Sequence, residues 1–205
     1  MAKLSLNKSA LQKERKLLAL YQRVLPSLDL KRQQLMMELA KAKKTLTKNI
    51  KEIEEQQERT GNTIPMLAII EIELSGLVKI REVLTELENV VGVKLPVLKD
   101  VDFDQINYSF LGKPHWVDVL VERLKEAARM HERLKISEKR VDILEYAVRK
   151  ITQRVNLFEK VLIPKTKNNI KKIQIFLGDA ERASVVRSKI AKKKHSRSLV
   201  GEAFV

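Results

Sequence analysis

The chain has no cysteine, and its 205 residues include only six glycines, five prolines and one tryptophan. Without thiols it builds neither a disulfide framework nor a thiolate metal site, which suits a reducing cytosol. So few glycines and prolines leave little material for tight turns, so loops must be few. Aromatic residues make up 4% of the chain, low for a single compact core. The longest apolar run, Met66 to Ile70, is far short of the roughly 20 residues of a membrane helix. The start, MAKLSLNKSALQKERK, lacks the apolar stretch of a signal peptide. These absences predict a soluble, intracellular protein.

What is present points to long helices. Charged residues are 33% of the chain and apolar residues 44%, with Ala, Glu, Lys, Leu and Arg prominent. That is the bias of coiled coils. The formal net charge of +15 suits nucleic acid, an anionic membrane surface or an acidic protein cavity, and does not choose among them.

From about Ser5 to Arg59 the spacing predicts one helix. Leu4, Leu11, Leu18 and Leu25 recur in heptads, and after Arg32 the series resumes with Leu39, Leu46 and Ile53. Tyr21, Leu28, Leu35 and Ala42 form a second series three residues on. Together they make the alternating three-and-four seam of a coiled coil. Pro26 should kink or split this helix, because it removes a backbone donor. Thr60-Gly61-Asn62 reads as its stop, with Gly61 as a left-handed cap. A second helix is predicted from about Trp116 to Lys194. Its seam is Val141, Leu144, Val148, Ile151, Val155, Phe158 and Leu162, and Ile173, Phe176, Ala180 and Ala183 continue the frame beyond Pro164. The residues between are mostly Lys, Arg, Glu and Gln. Each stripe is too narrow to be stable without a partner helix. At about 1.5 Å per residue, helices of this size reach on the order of 80 Å.

The middle differs. Pro65, Gly76, Gly92, Pro96, Gly112 and Pro114 punctuate it, and Phe103, Tyr108, Phe110 and Trp116 cluster at its end. Val91 to Leu98 alternates as a strand, with a turn at Glu88-Asn89 before it. Leu77 to Leu87 fits either the partner strand or a short helix. The expected fold class is therefore all-α dominated: a long antiparallel two-helix coiled-coil hairpin with a small central head that contains a β-hairpin. Its divisions are 1–62 for the first helix, 63–115 for the head, and 116–205 for the last helix and basic tail.

Reactive chemistry is hard to find. Gly112-Lys113 lacks the glycine spacing of a phosphate loop. His131-Glu132 begins like a zinc-protease helix, but Lys135 stands where the second histidine is required. Ser75-Gly76 reads as a turn rather than a nucleophile elbow. No catalytic residue, cofactor site or metal site is predicted. The basic end is a clearer signal: no acid occurs from Arg182 to Gly201, and Arg187, Lys189, Lys192, Lys193 and Lys194 crowd it. The plain reading is a solvated cluster that suits a helix C-terminus. Contact with an acidic protein surface is the functional one. Nucleic acid fits less well, since no stacking aromatics are interleaved with these cations.

Several of these elements resemble the D subunit of the V-type (vacuolar/archaeal-type) ATPase and ATP synthase, in its prokaryotic form. Arg154-Val155-Asn156-Leu157-Phe158-Glu159 with Ile163-Pro164 is similar to that family's Arg-Val-Asn-x-x-Glu…Ile-Pro element. Asp179-Ala180-Glu181-Arg182 followed by Arg187 and Lys189 resembles the end of its last helix. Glu88 to Pro96 resembles its head hairpin, and Leu28 to Leu35 its first-helix element. The pieces lie in order along nearly the whole chain. Asn7-Lys8-Ser9, Pro26 and Gly178 depart from the family pattern.

The resemblance implies a central-stalk rotor protein, itself not an enzyme. Such a protein couples ATP hydrolysis or synthesis in the ring of A and B catalytic subunits to proton or sodium transport. The implied partners are the A and B subunits, the F subunit and the funnel subunit on the membrane rotor. The implied location is the cytoplasmic side of the membrane, without insertion. The alternatives are a coiled-coil adaptor or secretion-system stalk and, less well supported, a basic nucleic-acid-binding helical protein.

Overall fold

The computed structural model describes residues 5–63, 77–104 and 116–202, with side chains at 5–61, 77–104 and 116–194. Among the residues named above, Leu4, Pro65, Ser75, Gly76, Tyr108, Phe110, Gly112, Lys113 and Pro114 lie outside the described residues, as does the run 66–70. In chain order the elements are helix α1 (Lys8–Thr63), strands β1 (Ile80–Val90) and β2 (Val93–Phe103), helix α2 (Trp116–Asn156), a π-helical segment (Leu157–Leu162) and helix α3 (Ile163–Glu202). The fold is all-α dominated, with long helices at the two ends of the sequence and one two-stranded antiparallel hairpin between them. Two compact units divide it: Met1–Leu30 with Thr152–Val205, and Lys31–Ile151.

Helix α1 starts where Asn7 caps it. The Asn7 Oδ1 accepts from the Ala10 N–H at 2.7 Å, and the Asn7 carbonyl accepts from the Leu11 N–H at 3.0 Å. Such a cap satisfies donors that the first turn leaves orphaned. Pro26 does not split the helix, which runs on through it. Gly61 does not stop it either. The helix continues to Thr63, and Gly61 lacks the positive φ of a left-handed cap. A glycine inside a helix costs only about 1 kcal/mol relative to alanine, too little to end it.

In the first unit, α1 and the π–α3 stretch run antiparallel. Lys8 reaches Glu181 at 3.9 Å, the Asn169 amide donates to Glu14 at 3.4 Å, and the Tyr21 and Phe158 rings meet edge-on at 5.4 Å. Val155, Thr166 and Ile173 are buried there, while Leu11, Leu18, Leu25 and Leu28 are half-buried. The π segment changes the frame. The N–H of Ile163 donates to the Phe158 carbonyl, five residues back. Pro164 explains it: its ring clashes with the carbonyl four residues back, and a widened turn relieves that clash. One residue is thereby added to the face. After it, Thr166, Ile170, Ile173 and Leu177 turn inward, whereas Phe176, Ala180 and Ala183, expected in the same frame, are exposed.

In the second unit, α1 and α2 are again antiparallel. Lys43 meets Glu145 at 2.6 Å, Asn49 donates to Ser137 at 2.8 Å, and Gln56 donates to Glu126 at 3.1 Å. Leu35, Ala42, Ile136, Val141, Leu144 and Ile151 are buried along this pair. Leu39, Leu46, Ile53 and Val148 are half-buried.

The ambiguous stretch at 77–87 resolves as β1. Leu77, Ile80, Leu84 and Leu87 have helical spacing, yet Leu84 and Leu87 are exposed, Leu87 by 68%. Strand pairing runs from Ile80–Phe103 to Val90–Val93, with irregularities near Arg81 and between Leu84 and Thr85. Glu88 and Asn89 are not the turn but lie within β1. The turn is Val91-Gly92, both with positive φ, at 54° and 79°. A two-residue hairpin loop of this type needs positive φ at both positions. A β-branched residue there costs on the order of 1–3 kcal/mol. Leu95 and Val101 of β2 are buried, and Leu77, Val117, Leu120 and Val121 form a small core with Val78 and Trp116 against it.

The shifted frame makes a contrast that urea unfolding will read. Ile173→Ala should cost about 2–5 kcal/mol. Phe176→Ala, at a position 48% exposed, should stay within roughly 0.5 kcal/mol despite the larger side chain removed.

Candidate functional site

The side chains that carry this protein's distinguishing features are of three kinds: the seams, the flank on which the hairpin rests, and the basic end of α3. Each follows from local sequence.

The seam of the second unit is not purely aliphatic. The heptad series Tyr21, Leu28, Leu35, Ala42 continues to Asn49 and Gln56, and those positions hold amides. Asn49 is only 7% exposed. Its amide donates to the Ser137 hydroxyl, which in turn donates to the Arg133 carbonyl at 2.8 Å. The buried polar groups are thus satisfied in series, as burial demands. A seam traced through apolar residues alone ends at Ala42. Extending the same heptad by one step finds Asn49. Thr166 of the first unit escapes sequence reasoning for another reason, since only the π segment brings it inward; its hydroxyl donates to the Leu162 carbonyl at 2.7 Å.

The hairpin is held against the helices of its own unit by charge and by shape. Arg140 of α2 donates to Glu88 of β1 at 2.9 Å, and the Arg129 guanidinium sits 5.3 Å from the centre of the Phe103 ring. The turn favours glycine at Gly92 for its positive φ; a Cβ there would come within 3.3 Å of the Lys31 Nζ, the mobile end of a flexible side chain that can shift aside. Lys99 and Glu86 pair across the strands. An open groove beside the base of the hairpin is lined by Ile53, Leu77, Leu120, Leu124, Ala127 and Met130.

Among the described residues that line it, the groove holds no reactive set. His131 stands on its rim and is exposed. Glu132 is engaged by Lys135 at 2.7 Å, so the residue in place of the second zinc-protease histidine forms an ion pair instead. Among the described residues no group of His, Asp or Glu is arranged to hold a metal ion. Nor is any helix among them long and apolar enough to cross a membrane.

The basic end is helical rather than a frayed tail, since α3 runs to Glu202. Near the start of this end, Glu181 pairs with Lys8 of α1 at 3.9 Å. Every described residue from Asp179 to Lys194 is exposed, including Arg187, Lys189, Lys192, Lys193 and Lys194. Val185, Val186 and Ile190 stand among these cations, each more than half exposed. The outer faces are therefore mixed, not uniformly polar: Leu20, Ile175 and Phe176 are exposed too.

Long helices paired antiparallel in each unit, with a β-hairpin laid on one pair, define a coiled-coil type of protein. The family model for the D subunit of ATP synthase matches residues 10–193. The V-type ATP synthase D subunit of Borreliella burgdorferi is 39% identical, over 97% of this chain and 100% of that protein. The V-type ATP synthase D subunits of Chlamydia abortus and Chlamydia felis are 36% and 35% identical, each over 94% of both chains. The chain belongs to the ATP synthase D-subunit family.

The Lys43–Glu145 bridge offers a local probe of α1–α2 pairing. The Lys43 ammonium, by its hydrogen bond first and its charge second, holds the Glu145 carboxyl below the usual glutamate range, and Arg149 adds to this. A depressed carboxyl pKa favours the folded state above the unfolded-state value, and that contribution disappears as pH falls through the folded value. NMR titration should find Glu145 titrating below a free glutamate. Lys43→Gln, or high salt acting on this exposed pair, should return it to the ordinary range.

Proposed function

We infer that this chain is the non-catalytic rotor axle of a V-type ATP synthase. The observation that carries the reading is the pairing of α1 with the C-terminal helical stretch, antiparallel and zipped by an aliphatic stripe in each unit. Such a pair can transmit position and force, because its stiffness comes from packing along its length.

In this reading the terminal helices enter the central cavity of the A and B catalytic ring, and the basic end of α3 meets acidic surface there. Arg187, Lys189, Lys192, Lys193 and Lys194 are the proposed contacts. The central segment, 63–115, serves as a head that works with the F subunit and the funnel subunit of the membrane rotor, on the cytoplasmic side. ATP is made or hydrolysed in the ring. The axle is asymmetric, so each rotation presents a different face to a given catalytic interface. That changes the relative stability of open and closed interfaces, a population shift driven by mechanical input. Proton or sodium movement is the coupled process.

A seam aliphatic residue is the direct test. Val148 is half-buried between buried Leu144 and Ile151 on α2. Val148→Asp would put a carboxylate into that stripe, where it lacks a partner. The variant should either fail to assemble or turn over ATP without pumping ions. Normal coupled pumping by a fully assembled Val148→Asp complex would count against the axle.

Co-purification separates this reading from a coiled-coil adaptor or secretion stalk. Affinity-tagged chain expressed in its own cells should bring down A, B and F subunits. Recovery of other partners without them would favour the adaptor.

A further inference from the structure

Both helical strands of the first unit carry a break in their backbone bonding at one level. In α1, Pro26 has no N–H, so the Gln22 carbonyl loses its helical donor. On the opposite strand, Leu157–Leu162 is π-helical, with the Ile163 N–H reaching back to Phe158. Pro164 follows at once and deprives the Lys160 carbonyl of its α-helical donor. The edge-on contact of Tyr21 with Phe158, ring centres 5.4 Å apart, ties these two breaks to one stretch of the pair.

The nearby hydroxyls do not mend the ladder. Ser27 donates to the Val24 carbonyl at 2.8 Å, and Thr166 to the Leu162 carbonyl at 2.7 Å, so neither reaches the orphaned oxygen of its own strand. Back-bonding of this kind bends helices rather than stiffening them. The outer side is bare as well: Leu157 and Val161 are both about half exposed.

A helix resists bending and twisting through its continuous ladder. A break in one helix of a pair leaves the other to carry the load. Breaks in both at one level leave only side-chain packing. We propose that Gln22–Ser27 with Leu157–Pro164 forms a compliant joint. Here the pair opens, bends or twists first, while the seams at Val155 on one side and Ile173 on the other stay closed. The joint is a property of the chain itself, whatever the chain couples to.

Residue-resolved hydrogen exchange on the full-length chain tests it. Amides from Phe158 to Ile163 should exchange at least about tenfold faster than those of Thr152–Val155 and Asn169–Ile173 on either side. Fast exchange between two protected flanks is not end fraying. The Pro26→Ala, Pro164→Ala double variant restores both donors and should slow the fast segment by about tenfold, with flanks unchanged. Uniform protection of the wild-type chain across 152–173 would overturn the joint, and that measurement decides by itself if the variant does not fold. Fast exchange that persists unaltered in a folded double variant would overturn it too, because the prolines would then not be its cause.

Discussion

The contact between two aliphatic stripes is the constraint from which the rest follows. Neither α1 nor the α2–π–α3 stretch has an apolar face wide enough to be stable in water alone. Each side chain buried in the seam, such as Leu35 on α1 or Leu144 on α2, contributes roughly 1.5–3 kcal/mol. Such contacts recur along each pair, so the helices are held along their length rather than at one point. The hairpin depends on the same seam, because Arg140 and Arg129 reach it from α2, and α2 buries Val141 and Leu144.

A stripe of leucines alone would hold the helices together without fixing their stagger. Aliphatic contacts are nearly as good one heptad out of place. The polar residues within the second unit's seam supply what the leucines lack. At the observed stagger the Asn49 amide meets the Ser137 hydroxyl; one heptad away it would lie among aliphatic residues, with a buried donor unsatisfied at a cost of about 1–3 kcal/mol. A buried amide therefore gives up some stability relative to leucine and gains a single register. Under the proposed axle role, sliding would be a failure as serious as unfolding.

How far the sequence is legible depends on whether a residue's role is set locally or by its neighbours in space. The heptads of leucine and valine mark the two helical regions, because burial periodicity is written directly into residue type. The helix-spaced Leu77, Ile80, Leu84 and Leu87 leave strand and helix open. The structure makes a strand of this stretch by pairing with Val93–Phe103, a non-local interaction that residue spacing does not encode. Val91 looks like the start of a strand because β-branched residues favour extended backbone. Hairpin closure overrides that preference and forces a positive φ. Gly61 looks like a cap by its type alone, although the cost of one glycine is too small to end the helix. Asn49 is legible in principle, since its heptad position announces burial, but a search for apolar residues passes over it.

The frame after residue 162 shows how one backbone defect reaches the surface. Without the extra residue of the π segment, Phe176 would continue the inward series and Leu177 would turn away. With it, Leu177 is half-buried, and Ile175 and Phe176 face outward on the helix that ends in Arg187, Lys189 and Lys192. Pro164 is the local cause, because the widened turn before it makes room for its ring. The proline therefore acts twice: it weakens the ladder beside Phe158, and it selects which apolar groups a surrounding protein would meet further along. In an axle turning within a ring, those two effects act on the same motion. Under the proposed axle role, the proposed compliance near the π segment would set how far the shaft twists under load, and the rotated frame beyond it would set which face the ring encounters.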